Sequence, residues 1–231
     1  GAALAACGAP AGQPPAPVAE APAAAATTAP AAEAPAAAPG QYQEAPMLAD
    51  LVAQGQLPPV DERLPSNPLV MEVVESTGNY GGTMRRGFKG VSDRWGPTKL
   101  QDRAVAWYDR DLNLKPRLVE SWELSDDAKE WTFHLREGMK WSDGEPFTTA
   151  NVQWWYDHEL NNAELNPSGG GVSNAVWASG PDNTLMELEV VDDVTFKLKY
   201  ANPKPLLLYG LARLSQSGPN GEFCALYSPR P

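Results

Sequence analysis

The sequence predicts a domain of mixed α and β structure behind an N-terminal segment without regular structure. Apolar and polar residues alternate strictly over 130–136, which is typical of a half-buried strand. An apolar stripe at helical spacing follows over 152–160. Two further apolar runs, at 185–191 and 194–200, are separated by a polar turn and predict a hairpin. The 231 residues are enough for one or two domains.

The N-terminal part is predicted to be a disordered spacer. From Gly8 to Gly40, 24 of 33 residues are Ala or Pro, and no apolar period is present. Such a composition buries too little area to offset the entropy of ordering the chain. We therefore divide the chain into residues 1–7, a spacer at 8–46 and a folded part at 47–231.

Cys7 is predicted to carry a lipid. The residues Leu4-Ala5-Ala6-Cys7 are typical of the bacterial lipobox, in which the cysteine is lipidated and becomes the mature N-terminus. Residues 1–7 are then the remnant of a signal peptide whose basic region and most of whose apolar region are missing. The alternative is an Ala-rich coding bias that contains one cysteine. With Cys7 lipidated, Cys224 has no partner for a disulfide.

Composition argues against nucleic-acid binding and against a membrane-spanning helix. The formal net charge is −11, whereas nucleic-acid binding requires a positive field to meet phosphate. The sequence holds no run of 18 apolar residues, so no membrane-spanning helix is predicted.

The elements before the alternating strand are predicted from short patterns. Apolar residues at helical spacing predict a helix over 47–56, which Gly55 and two prolines end. A short strand is predicted at 69–74, and a second one at 83–88 follows a glycine turn. This turn lacks the glycine spacing of a phosphate-binding loop.

The central elements follow in a tight order. Strands are predicted at 118–124 and 130–136, and Ser125-Asp126-Asp127 forms the turn between them. Thr148 is the predicted N-cap of the next helix, because its hydroxyl can accept from a free backbone N–H. The core-facing residues of this helix are Val152, Trp155, Tyr156 and Leu160. A short buried helix is predicted at 206–214.

No residue in this stretch is predicted to do chemistry. His134 with Asp126, Asp127 and Asp143 suggests a metal or acid/base site. However, His134 stands alone on the polar face of a strand, and metal sites need clustered ligands at defined spacing. Turn chemistry explains the paired aspartates, and no G-x-S-x-G elbow is present. We predict no catalytic residue, no metal site and no cofactor.

Residues 116–148 resemble the family 5 extracellular solute-binding proteins of ABC transporters. The resemblance is carried by Pro116, Leu118, Glu120 to Glu123, Ser125 to Asp127, Trp131 to Gly138 and Lys140 to Thr148. It extends more loosely to 80–83 and 190–196. Asn151 departs from the pattern, because similar proteins carry an acidic residue in this first turn of the helix, next to the positive end of its dipole.

The resemblance implies a fold of the periplasmic-binding-protein type II class, in which two lobes close on a solute. The chain would be an incomplete part of it: the opening of the first lobe and the family's small subdomain, truncated at its C-terminus. The implied ligand is a small solute, first an oligopeptide or dipeptide, with nickel complexes and oligosaccharides as less frequent ligands. The implied partners are an ABC permease and its ATPase subunits, at the outer face of the cytoplasmic membrane or in the periplasm.

Trp95 is the ligand-contact residue that the resemblance suggests, because it follows the first predicted strands, where chains of this fold approach the cleft. Packing in the core is the alternative for Trp95. Two other functions compete with solute capture. A secreted carbohydrate-active enzyme would use the tryptophans as sugar platforms, but needs a carboxylate pair beside an exposed cleft. A stalked surface-binding module would show internal repeats, and the sequence has none.

Overall fold

The computed structural model describes residues 42–71, 73, 75–83, 85, 87, 89, 105–109, 111–164 and 174–213. Cys7, Trp95 and the predicted spacer up to residue 41 lie outside these ranges. No helix in the described ranges is both long and apolar enough to cross a membrane.

The described residues form five α-helices, one π-helical turn and eight short strands. In chain order these are α1 (Pro46–Ala53), α2 (Val60–Arg63), β1 (Ala106–Tyr108), β2 (Leu114–Pro116), β3 (Val119–Leu124), β4 (Glu130–Leu135), α3 (Thr149–Trp155), the π-helical turn (Tyr156–Leu160), α4 (Asn174–Trp177), β5 (Ala178–Ser179), β6 (Thr184–Leu185), β7 (Glu187–Val190), β8 (Thr195–Lys199) and α5 (Leu207–Arg213).

A four-stranded antiparallel sheet forms the centre of this structure. Its strand order is β3-β4-β8-β7, so β4 and β8 are the inner strands. The register pairs Phe133 with Trp122 on one side and with Phe196 on the other. Because side chains alternate across a strand, this register gathers the aromatic residues of three strands on one face.

That apolar face is the core of the domain. Trp122, Trp131 and Phe133 are almost completely buried, as are Phe196 and Leu198. The rings of Phe133 and Phe196 stack with their centroids 5.3 Å apart. The alternation over 130–136 therefore marks a half-buried strand, as predicted, and Trp122 and Trp131 are packed in the core.

Helix α3 covers part of the core and begins at the predicted cap. The hydroxyl of Thr148 accepts from the backbone N–H of Ala150, and Asn151 accepts from the backbone N–H of Thr148. Val152 and Trp155 are buried, and so is Leu160 in the π-helical turn that extends the helix. Asn151 thus keeps a capping role without a charge.

The two small antiparallel ribbons lie outside the main sheet. β1 pairs with β2, and α5 packs against this pair. β5 pairs with β6 directly before β7. α5 covers 207–213 with Leu207, Leu208 and Leu211 buried, which confirms the predicted short buried helix.

The predicted strand at 69–74 is not found in the described residues of this segment. Residues 69–71 and 73 have no strand conformation and are exposed. Strand formation depends on pairing and burial more than on apolar content, and no described strand pairs with this segment. At 83–88 the described positions 83, 85 and 87 also lack strand conformation, and 84, 86 and 88 lie outside the described residues.

Candidate functional site

Aromatic residues lie on both faces of the β1–β2 ribbon, with Tyr108 beside Tyr209 of α5 on one face and Trp107 on the opposite face. We call these three residues, together with Leu206 directly before α5, the ribbon surface. Leu206 and Tyr209 are 70% and 44% exposed, although their neighbours in the apolar run are buried. The rings of Tyr108 and Tyr209 lie 6.2 Å apart, and the Tyr108 hydroxyl donates a 3.0 Å hydrogen bond to the Tyr209 carbonyl. This bond fixes one aromatic ring against the helix.

Trp107 lies on the other face of β1, because successive side chains of a strand point in opposite directions. Its indole is 38% exposed, and the guanidinium of Arg117 lies 5.4 Å from the ring centroid. Arg117 also donates to the sulfur of Met71 at 2.9 Å. A cation over an indole is an attractive arrangement, so Arg117 holds the ring in place and adds positive charge beside it.

The loop between β1 and β2 is fixed by one carboxylate. Asp109 accepts from the backbone N–H of Asp111 at 2.9 Å and from that of Asn113 at 2.8 Å. These bonds, first of all the one from Asn113, lower the pKa of Asp109. Leu112 at the loop tip has φ of 64° and is 73% exposed. Asp109 therefore has a structural role, and the loop exposes Leu112 at its tip between the polar residues Asp111 and Asn113.

The structure places the chemically suggestive residues in different elements, and Asp143 is an exposed turn residue that accepts from the backbone N–H of Glu145 at 3.2 Å. His134 is near the end of β4, where its Nδ1 lies 3.3 Å from the hydroxyl of Thr195. Asp126 and Asp127 are in the turn before the start of β4. Asp127 accepts from the hydroxyl of Ser125 and from the backbone N–H of Lys129, and these bonds lower its pKa, the Ser125 bond most.

No group of three or more His, Cys, Asp or Glu side chains in the described ranges is arranged to hold a metal ion. The turn aspartates and His134 are separated by most of β4, roughly 13 Å from Glu130 to His134 at the usual rise per strand residue. The arrangement of these residues explains a sheet and its turns, and it does not pair His134 with Asp126 or Asp127.

The polar face of the sheet carries mixed charge. Lys197 lies 2.8 Å from Glu130, and Lys199 contacts both Glu130 and Glu189. The pKa of Glu189 is lowered, first by its hydrogen bond from Lys199. Each Lys lies between carboxylates of neighbouring strands, so this face is balanced and shows no concentrated positive field.

The ribbon surface was not predicted from the sequence. The adjacent aromatic pair Trp107 and Tyr108 was the available signal, since one of two successive strand residues must leave the core. Tyr209 stands inside the apolar run of α5, where nothing in the sequence marks it as the exposed residue. Trp122 and Trp131, which competed as sugar platforms, are buried, and Trp131 Nε1 donates to the Lys204 carbonyl.

Comparison with known proteins identifies the family. The model of the bacterial extracellular solute-binding proteins, family 5 Middle, matches residues 113–228. The periplasmic alpha-galactoside-binding protein of Rhizobium meliloti is 28% identical over 171 residues, which cover 64% of this chain and 24% of that protein. The periplasmic oligopeptide-binding protein OppA of Haemophilus influenzae is 32% identical over 104 residues, which cover 42% of this chain and 19% of that protein.

Two solved structures share the fold over most of the chain. An oligopeptide-binding protein OppA is similar with a TM-score of 0.64 and 39% identity, over 78% of this chain and 27% of that one. The periplasmic binding protein MelB from Agrobacterium fabrum C58, in complex with stachyose, is similar with a TM-score of 0.55 and 26% identity, over 72% and 27%.

This chain therefore spans about a quarter of the length of several of these relatives. Its mixed α/β architecture is that of part of a periplasmic binding protein of type II. The family match begins before β3 and runs past α5, so it contains the whole central sheet. Because the match covers half of the sequence, the chain belongs to the bacterial extracellular solute-binding proteins of family 5.

Proposed function

We propose that this chain is part of a substrate-binding lipoprotein of an ABC importer. It captures a small solute by closure of two lobes and delivers it to a membrane permease that ATPase subunits drive. The family match over 113–228 is the observation that carries this proposal. Family members are binding proteins, so the solute leaves the site chemically unchanged.

An oligopeptide or dipeptide is the solute that we propose first. The structure of an oligopeptide-binding protein OppA, 39% identical over 78% of this chain, supports it. The ribbon surface has the chemistry for such a ligand, because aromatic rings accept apolar side chains and Arg117 favours a carboxylate nearby. In this proposal Trp95 is a second ligand contact, with core packing as its alternative role.

An oligosaccharide is the second candidate. The alpha-galactoside-binding relative and the stachyose complex of MelB both cover about two thirds of this chain. Exposed rings such as Trp107 and Tyr209 offer flat apolar faces with a polar edge, which suit the alternating apolar and hydroxyl surfaces of a sugar. Nickel complexes are a third, less supported class of ligand.

Binding measurements on a protein of the relatives' length that contains this chain test the proposal. A thermal-shift screen identifies the class of solute that binds, and calorimetry then gives its dissociation constant. The screen uses peptides of two to five residues, raffinose, stachyose and a nickel–histidine complex. We expect one class to raise the melting temperature, with recovery of the intact solute. Chemical turnover of a bound solute, or no shift with any class, would contradict the proposal.

Variants of the ribbon surface test whether it contacts the solute. We expect Trp107→Ala or Tyr209→Ala, according to which face of the ribbon the solute contacts, to weaken binding by about tenfold, since a lost aromatic contact in a site costs on the order of 1–2 kcal/mol. Tyr80→Ala is the matched control, because Tyr80 is an exposed aromatic residue outside the ribbon surface. Equal dissociation constants for all three variants would exclude the ribbon surface as a contact.

We also propose that the protein is anchored by a lipid on Cys7. The lipobox residues Leu4 to Cys7 and the Ala/Pro-rich spacer after them support this. Labelling with a fatty-acid analogue in a bacterial host should mark the wild type and leave Cys7→Ala unlabelled, with Cys224→Ala as the labelled control. Equal labelling of the Cys7→Ala variant would refute the anchor.

A further inference from the structure

Residues 57–71 lie along the domain without entering its core. We call this segment the strap; it includes α2 and ends at Met71. None of its residues is buried, and the hydrophobic core of the described residues contains no residue before Val105. The strap is therefore held by contacts other than hydrophobic burial.

A buried arginine is the main attachment point of the strap. Arg136 directly follows β4, is 8% exposed, and donates through Nη1 to the carbonyl of Asn67 at 2.7 Å. Its Nε donates to the carbonyl of Arg117 at 3.0 Å, which ties the same guanidinium to the segment before β3. The Asn67 side chain donates to Glu120 on β3 at 2.6 Å. Charge-assisted bonds of this kind are stronger than neutral ones.

A second set of contacts lies one residue earlier in the strap. The backbone N–H and the hydroxyl of Ser66 both donate to the Glu137 carbonyl at 2.9 Å. Gly138 has φ of 77°, and a Cβ there would lie 3.6 Å from the Ser66 nitrogen. The turn after β4 thus presents backbone groups to the strap, and Lys140 adds a contact to the Glu62 carbonyl.

The strap is also pre-shaped for docking. It contains Pro58, Pro59, Pro65 and Pro68, each of which fixes one backbone dihedral in the free chain. A segment with fewer free conformations loses less entropy when it docks. The strap is held by polar contacts and loses little entropy on docking. It can therefore detach from the domain and dock again while the sheet stays folded.

We propose that the strap docks on the Arg136 site as a separable unit, and that its release, without unfolding of the sheet, sets how far the N-terminal segment extends from the domain. Released residues 42–71 would add roughly 27–33 Å of root-mean-square reach as a flexible chain. The consequence for the distance from a membrane rests on the proposed lipid anchor, whereas the release itself does not.

Residue-resolved hydrogen exchange of the whole chain tests the proposal. The reporters are the amide of Ser66, bonded to Glu137, and the amide of Leu135, bonded to Val194 in the sheet region. We expect the Ser66 amide to exchange through local detachment of the strap, which exposes little surface and is therefore insensitive to urea. The Leu135 amide should exchange only through global unfolding, which urea promotes. Arg136→Met, which keeps the length and removes the donors, should speed Ser66 exchange at least about tenfold and leave Leu135 within about twofold.

Lys197→Met is the matched control, since its salt bridge to Glu130 contacts no strap residue. Should Arg136→Met fail to fold, Asn67→Ala decides by the same comparison, because it removes the strap's bond to Glu120 and leaves the Arg136 side chain in place. Equal acceleration of both amides, or of neither, in the deciding variant would overturn the proposal. No solute enters this experiment, so its outcome is independent of what the solute-binding screen finds.

Discussion

The phenol of Tyr200 donates a buried hydrogen bond of 2.9 Å to the backbone carbonyl of Val176. Tyr200 directly follows β8 and Val176 lies in α4, so the bond fastens a short helix to the end of the main sheet. Both residues are buried, and burial raises the pKa of Tyr200. The phenol therefore stays protonated and remains a donor over the ordinary pH range.

Tyr200→Phe should destabilise the domain by about 1–3 kcal/mol, because it leaves the Val176 carbonyl buried without this donor. Urea denaturation should show a lower midpoint with an unchanged slope. Tyr209→Phe, a change at an exposed tyrosine, is the control and should stay within about 0.5 kcal/mol of the wild type. Equal stability of the two variants would show that the bond is not needed.

The cap of α3 gives a second prediction. The Thr148 hydroxyl accepts from the Ala150 backbone N–H at 3.3 Å, which satisfies a donor that the helix itself leaves free. Thr148→Ala should therefore cost about 0.5–2 kcal/mol, and Thr148→Ser should restore most of it. Thermal unfolding of the three proteins checks this, and an Ala variant as stable as the Ser variant would argue that the cap has no net effect.

Asn151 gives a prediction of the opposite sign. Its side-chain oxygen already accepts from the Thr148 backbone N–H at 2.9 Å, and it stands in the first turn of α3. Asn151→Asp keeps that acceptor and adds a negative charge at the positive end of the helix. We expect a gain of about 0.3–1 kcal/mol at neutral pH, which should shrink in high salt. A gain that salt leaves unchanged would point to a cause other than the dipole.

The main sheet and α3 were predictable because their patterns are local. The alternation over 130–136 identifies β4 whatever its partners are, and Thr148 marks the start of α3 before any packing is known. The second alternating run at 194–200 identifies β8 in the same way, whereas its pairing with β4, which joins Glu130 to Lys199, was not predicted. In these stretches local propensity, apolar pattern and tertiary packing agree.

The ribbon surface and the segment at 69–74 depend on what lies beside them. Trp107 is exposed because β1 pairs with only β2 and α5 covers its other face, which no local pattern shows. The apolar run at 69–74 reads as a strand, yet its described residues pair with no described strand. The attachment of the strap was equally hidden, since Arg136 and Asn67 are 69 residues apart.

The turn between β7 and β8 gives the prediction on pH. Asp192 accepts from the backbone N–H of Val194 at 2.9 Å and of Thr195 at 2.7 Å. These bonds, first the one from Val194, lower its pKa below the ordinary value of 3.8. A pKa that is lower in the folded state contributes stability above the unfolded pKa, and this contribution is lost as the pH falls through the folded pKa.

Asp192→Asn should therefore lower the melting temperature at pH 7 and approach the wild type as the pH is lowered from about 5 to below the folded pKa. Asp193→Asn is the matched control, because its backbone carbonyl, which accepts from the Thr149 N–H, remains in place. Melting curves from pH 7 to pH 2.5 on the three proteins make the comparison. If the gap between Asp192→Asn and the wild type stays constant across this range, the carboxylate charge does not stabilise the turn.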